Sequence, residues 1–125
     1  MSDANHYSGE IAIDPPLTWA EIQAGPPVKD IRLKLREETT DTETGRTTVT
    51  TAVAVIPREA SFGDHQMVED IQAVVDHYGA AHEFGGHIQA QWDPGYGFTP
   101  PQRFLVADGR VQVVTAQVSW PEVSE

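Results

Sequence analysis

From Ile31 to Glu37 the chain alternates, residue by residue, between apolar and charged side chains. Ile31, Leu33 and Leu35 hold one phase, and Arg32, Lys34 and Arg36 hold the other. A period of two suits an extended strand with one buried face, whereas a helical face repeats about every 3.6 residues. The run Thr47–Ile56 is dense in β-branched residues and sets Val49, Thr51, Val53 and Val55 in phase. Between them Glu38–Arg46 is polar and carries Gly45 near its end. The two runs therefore predict a long antiparallel hairpin with a flexible tip. Three basic side chains on one face discourage edge aggregation, and an anion is their alternative partner.

Other segments are equally punctuated. Tyr7, Gly9, Ile11 and Ile13 alternate with Ser8, Glu10 and Ala12, which predicts a strand that Asp14-Pro15-Pro16 stops, because proline cannot donate to a ladder. Thr18-Trp19-Ala20-Glu21 has the form of a capping box, so a short helix is expected over Trp19–Ala24. Gly25 is expected in the left-handed position after it, and Pro26-Pro27 forbid continuation. Met67, Ile71, Val74, Val75 and Tyr78 form an amphipathic stripe after Phe62-Gly63-Asp64, with Phe62 placed to staple against Met67 and Gly79 as the stop. In the last third, Gly86–Trp92 reads as a strand. Gln102–Ala107 and Arg110–Trp120 read as two more, joined by the Asp108-Gly109 turn. A phase switch at Val113-Val114 predicts a β-bulge or a strand buried on both faces.

These elements predict one α+β domain over residues 1–125, with 1–6 and 121–125 as flexible tails. Their order, βαββαβββ, begins like a ferredoxin-like βαββαβ unit. The expectation is a ferredoxin-like sheet extended by a C-terminal hairpin, with one long amphipathic helix packed on it.

Charge narrows the function. Nineteen acidic residues face eight Lys and Arg, a formal net charge of −11. Such a surface repels nucleic acid and anionic membrane and attracts basic partners. Direct nucleic-acid binding and membrane association are therefore not expected. No apolar run approaches the roughly 18 residues that span a bilayer. Met1–His6 has neither the basic nor the apolar run of a signal peptide, and Cys is absent, so a cytoplasmic protein is expected. Six of the eight basic residues precede Glu59, and from Ala60 onward nine acids face only Arg103 and Arg110.

Catalytic patterns are missing. There is no Gly-x-Ser-x-Gly, no phosphate-binding glycine loop and no thiolate. His77, His82 and His87 recur every five residues, a step that turns successive side chains by about 140° on a helix and so gives no common face. His77 near a helix C-terminus is explained by the dipole there. No catalytic, cofactor-binding or metal-ligating residue is assigned, and no cofactor. Two features suit a protein partner instead. The loop Trp92–Pro101 presents Trp92, Tyr96 and Phe98 among prolines and glycines. The run Glu37, Glu38, Asp41 and Glu43 concentrates carboxylates that could imitate phosphates if they shared one surface.

The stretch Ser8-Gly9-Glu10-Ile11-Ala12-Ile13-Asp14-Pro15-Pro16-Leu17-Thr18-Trp19-Ala20-Glu21-Ile22 resembles the opening of small uncharacterised proteins of actinobacteria and their phages. Phe104–Trp120, with Asp108-Gly109 and the ending Val118-Ser119-Trp120-Pro121, is similar to their close. The resemblance implies a phage or mobile-element origin and transfers no activity. The function expected is a small acidic, non-enzymatic protein that binds and modulates a host or partner protein, in a sharper form by nucleic-acid mimicry. The alternatives are a self-assembling, virion-type homo-oligomer and a small-ligand or enzymatic domain with a pocket lined by Trp19, Trp92 and Trp120.

Overall fold

A computed structural model describes residues 5–58, 61–62, 66–92 and 100–117. Seven strands and two short helices follow one another as β1 (Asn5–Leu17), α1 (Trp19–Gln23), β2 (Ile31–Thr42), β3 (Gly45–Pro57), β4 (Ser61–Phe62), α2 (Met67–Tyr78), β5 (Glu83–Trp92), β6 (Gln102–Ala107) and β7 (Arg110–Thr115). Six strands line up as β2-β3-β1-β5-β6-β7, and the two-residue β4 pairs with the start of β1. Every pairing is antiparallel.

This corrects the expected fold class. The expected α+β pattern needs a long helix packed as a layer on the sheet. Here strands dominate: six of them form one antiparallel sheet in which β1 pairs with β3 and β5. The protein is mostly β. Its longer helix, α2, has 12 residues, and α1 has 5, so the long helix expected on the sheet is absent among the described residues. No helix there is long and apolar enough to cross a membrane.

Local chemistry explains the elements. In β1, Tyr7, Ile11, Ile13 and Leu17 are buried on one phase, as the alternation requires. Asp14-Pro15-Pro16 fails to stop the strand. The ladder to β5 ends at Asp14↔Glu83, and the ladder to β3 is interrupted between Ala12↔Ala54 and Leu17↔Ala52. The prolines occupy the stretch where neither neighbour needs their missing N–H. In β3 the phase breaks at Val53. Lys34 opposes Ala54 and Leu35 opposes Ala52, which leaves Val53 as the extra residue of a bulge. Val49 and Thr51 therefore share a face with Arg36 and Glu38, away from Val55. The switch at Val113-Val114 is no bulge, for β7 pairs with β6 in continuous register from Arg110 to Thr115. Both valines are partly exposed because β7 is an edge strand. Residues 118–120 lie outside those described, as does the side chain of Phe62 in the expected staple.

The core joins the inner faces of β1, β3 and β5 to Met67, Ile71, Val74, Val75 and Tyr78 of α2, with Ile31 and Phe104 from the flanks. Polar bonds tie α2 to both ends of the strand order. Oδ2 of Asp70, buried in the first turn, accepts the backbone N–H of Lys29 (2.8 Å) and of Asp30 (2.6 Å), just ahead of β2. Oδ2 of Asp30 accepts the N–H of Gln66 (2.8 Å) at the start of α2, whose own side chain makes no cap. On the other flank Gln72 donates to the Gly109 carbonyl (3.0 Å) and accepts from the Val111 N–H (2.9 Å). In a flat sheet of this order the end strands would stand about 24 Å apart, at about 4.8 Å per interval. Two side chains two residues apart on one helix reach both, so the sheet curls around α2.

Glycine makes the curl sterically feasible at the sheet centre. Gly9 (φ 89°) and Gly86 (φ 91°) lie on the paired strands β1 and β5, opposite Ile88 and Ile11. A Cβ on Gly86 would lie 2.8 Å from the Glu10 carbonyl oxygen, and one on Gly9 would lie 2.6 Å from that of His87. Gly86→Ala should therefore destabilise the fold by about 2–3 kcal/mol. Gly85→Ala, where a Cβ meets nothing within 4 Å, should change it by no more than about 0.5 kcal/mol. Asp70→Ala, which strands two amides, should cost about 2–4 kcal/mol. Urea denaturation of the three variants checks all of these.

Candidate functional site

Beyond Leu35 the β2–β3 hairpin runs past the core as an arm. Its ladder is continuous to Thr42↔Gly45, so the expected flexible tip shrinks to the turn at Glu43-Thr44. Cross-strand bonds hold it: Thr39 and Thr48 hydroxyls at 3.2 Å, Arg46 Nε to Asp41 Oδ1 at 3.0 Å, and the Thr42 hydroxyl to the Gly45 carbonyl at 2.7 Å. Leu35 is 50% exposed on one face and Val49 52% exposed on the other.

The arm carries all four acidic residues singled out in the sequence, and it divides them. Glu37 and Asp41 share one face by strand alternation, Glu38 takes the other, and Glu43 is in the turn. Arg36 Nε lies 3.3 Å from Glu38 Oε1, and Arg46 engages Asp41. Glu37 and Glu43 have no ion pair among the described residues. All four are exposed, where such pairs contribute about 1 kcal/mol at most. The carboxylates do not gather on one surface. Of the expected aromatic loop, Trp92 ends β5 with its backbone opposite Asn5. The Trp92 side chain, Tyr96 and Phe98 lie outside the described residues. So does Trp120, and Trp19 is half-exposed on α1.

A second cluster escaped the sequence reading. His82, one of the three evenly spaced histidines to which no ligand role was assigned, is buried in the turn between α2 and β5. Its Nδ1 lies 2.6 Å from the Pro15 carbonyl oxygen, and its Nε2 lies 2.7 Å from Glu21 Oε2. A carbonyl and a carboxylate are both acceptors, so both contacts are hydrogen bonds only when both ring nitrogens carry a proton, and the geometry suits the imidazolium. Burial opposes that charge, but the hydrogen bonds to Glu21 and Pro15 outweigh it and raise the His82 pKa above its ordinary value. Glu21 shifts the other way, lowered by the Thr18 backbone N–H and by His82. Glu21 is also the third residue of α1, and its Oε1 completes the capping box by accepting the Thr18 N–H (3.0 Å), while its own N–H donates to the Thr18 hydroxyl (3.2 Å). The Tyr78 hydroxyl donates to the Glu21 carbonyl (2.6 Å), and its pKa is raised by burial and by the Glu21 charge.

This cluster fastens α1 to α2 and to the end of β1. Gly25 serves it sterically. The expected left-handed φ is absent, and a Cβ there would fall on the Tyr78 hydroxyl. The capping-box acid Glu21 was legible in the sequence, and no local pattern linked it to His82, 61 residues away. With both imidazole nitrogens engaged, His82 is committed to holding the fold. His77 lies on α2 and His87 on β5 opposite Glu10, and no three His, Asp or Glu side chains converge among the described residues. A hollow of about 380 Å³ lies beside His82, with Glu83, Phe84, Val106 and Asp108 in its lining.

The pH dependence follows from the signs. The raised His82 pKa makes its contribution full below about pH 6.5 and lost as pH rises through the folded value. The lowered Glu21 pKa makes its contribution present above about pH 4.5 and lost as pH falls through the folded value. Stability should therefore decline on the alkaline side as His82 deprotonates. His82→Gln should flatten that limb, as read by thermal melts across pH 5–9.

Over residues 1–125 the chain matches the model of a family of unknown function, DUF6205. No curated protein and no solved structure matches it. The match covers the whole chain, and the protein belongs to the DUF6205 family.

Proposed function

We propose that this protein is a non-enzymatic binder of a protein partner, which it modulates, and that the faces of the β2–β3 arm form the contact surface together with the loop bearing Trp92, Tyr96 and Phe98. The arm carries the reading. Ordering a residue costs about 1–2 kcal/mol of backbone entropy, and residues outside the core recover little of it by burial. An arm that keeps a regular ladder and half-exposes Leu35 and Val49 on opposite faces is suited to bury those side chains elsewhere. An apolar centre ringed by threonines and charges is the usual make-up of a transient protein interface.

A sharper form of the reading makes the partner a nucleic-acid-binding protein and the arm a mimic of phosphates. The division of Glu37, Glu38 and Asp41 between two faces, with two of them held by arginine, favours the plain form. A cytoplasmic setting and a phage or mobile-element origin fit such a modulator.

The test is capture from native-host lysate at low and high salt, comparing the wild type with Leu35→Ser/Val49→Ser. Both side chains are half-exposed, so stability should change by about 0.5 kcal/mol or less. Capture of a specific partner should fall at least tenfold. Undiminished capture by the double variant would remove the arm from the interface. Displacement of the partner by DNA, with steep loss at high salt, would favour mimicry instead.

A further inference from the structure

We propose that the free edge of β2 pairs with the same edge of a second copy of this chain, forming an antiparallel β2–β2 ladder about a two-fold axis centred on Arg36. The inference goes beyond the partner reading, because the arm faces used there stay open when the edges pair.

The first support is the edge itself. Among the described residues β2 pairs only with β3, although it is 12 residues long. It contains no proline, and the irregularity in its ladder leaves the extra residue, Val53, on β3. An edge of that length presents a row of unpaired N–H and C=O groups, which is a template for another strand. The opposite edge, β7, has 6 residues, and its Val111 N–H is already taken by Gln72.

Charge identifies the occupant. Arg32, Lys34 and Arg36 lie in the first half of β2, and Glu37, Glu38 and Asp41 lie in the second. The strand is neutral within a chain of net charge −11. Antiparallel pairing with itself sets the basic half of each copy against the acidic half of the other. A foreign strand would need that same split, whereas a second copy has it by construction.

The two-fold also selects the register. An axis perpendicular to the sheet keeps each phase of β2 on one face, so each residue meets one of its own phase. Centred on Arg36, the ladder sets Lys34 opposite Glu38 of the second copy, twice by symmetry. Arg32 meets Thr40, and Leu33 meets Thr39. The two Arg36 side chains oppose each other, but each is already held by its own Glu38. Centring on Leu35 would set Lys34 against Arg36 twice. Centring on Glu37 would set Arg36 against Glu38 twice but oppose two Glu37 side chains, which have no ion pair among the described residues to neutralise them, whereas each opposed Arg36 is held by its own Glu38. Opposite charges directly across strands attract and like charges repel, which leaves the Arg36 register favoured. Repulsion between the two negative bodies is screened beyond about 8 Å at 0.15 M salt.

Sedimentation equilibrium at that ionic strength tests the proposal. The wild type should self-associate to a dimer. Lys34→Glu and Glu38→Lys should each weaken association at least tenfold, because each sets like charges opposite. An equimolar mixture of the two variants should restore the dimer, since both pairs between positions 34 and 38 in the mixed species are again of opposite sign. Both side chains are largely exposed, and circular dichroism checks that the variants fold. Amide exchange gives a second readout: protection along alternate residues of Ile31–Asp41 should rise with protein concentration in the wild type alone. A wild type that stays monomeric with unprotected β2 amides overturns the proposal. Variants that dimerise like the wild type overturn the interface, and a mixture that fails to associate overturns the register. Loss of lysate capture in the arm-face double variant leaves these outcomes unaffected, so the two readings fail separately.

Discussion

The fold depends on a reciprocal pair of buried carboxylates, each engaged by backbone amides of the other's segment. Asp30 caps the start of α2, and Asp70, from the first turn of α2, gathers the two amides that lead into β2. Each carboxylate does for the other's segment what a local capping residue does within one helix. Negative charge at a helix N-terminus is also favoured by the helix dipole. The consequence is geometric. α2 cannot slide or rotate without stranding charged oxygens or peptide N–H groups in the interior, at a cost of about 1–3 kcal/mol each. With that flank set, Gln72 reaches the opposite one, and the six strands between them close around the helix.

That closure shows what sequence periodicity can and cannot carry. Alternation marked the inner faces of β1 and the start of β2, and the Thr18-Glu21 box marked α1, because these signals are local. Strand pairing is a long-range property. The same succession of strands and helices accommodates several strand orders, and only the partners of β1 decide between them. The bulge at Val53 and the survival of β1 through Pro15-Pro16 are likewise set by neighbours, which either need a backbone N–H at a given position or do not. His82 was missed for the same reason, since its two partners come from residues 15 and 21. The acidic run was legible as composition, but its division between two faces needed the register.

The His82 cluster and the arm represent opposite uses of polar groups. Around His82 each donor meets an acceptor in a confined space, which leaves it closed to a ligand and sensitive to pH. Along the arm, pairing satisfies the backbone between β2 and β3 while side chains of both signs remain in solvent. A protein of this acidity keeps copies and anionic surfaces apart at long range. Close approach is therefore least opposed where the local charge is balanced.

That balance is confined to a specific strand. Lys34 and Arg36 lie beside Glu10 and Glu38, so no basic patch stands out at a distance. At contact range, however, the order of signs along β2 matters more than their sum. A strand with mixed signs distributed evenly would pair with itself in many registers and specify none. Bases in one half and acids in the other penalise slippage in both directions, because a shift of the axis by one residue either sets Lys34 against Arg36 twice or opposes two Glu37 side chains that lack an ion pair among the described residues. The pattern that guards an exposed edge against indiscriminate pairing is thus the same pattern that admits one antiparallel partner.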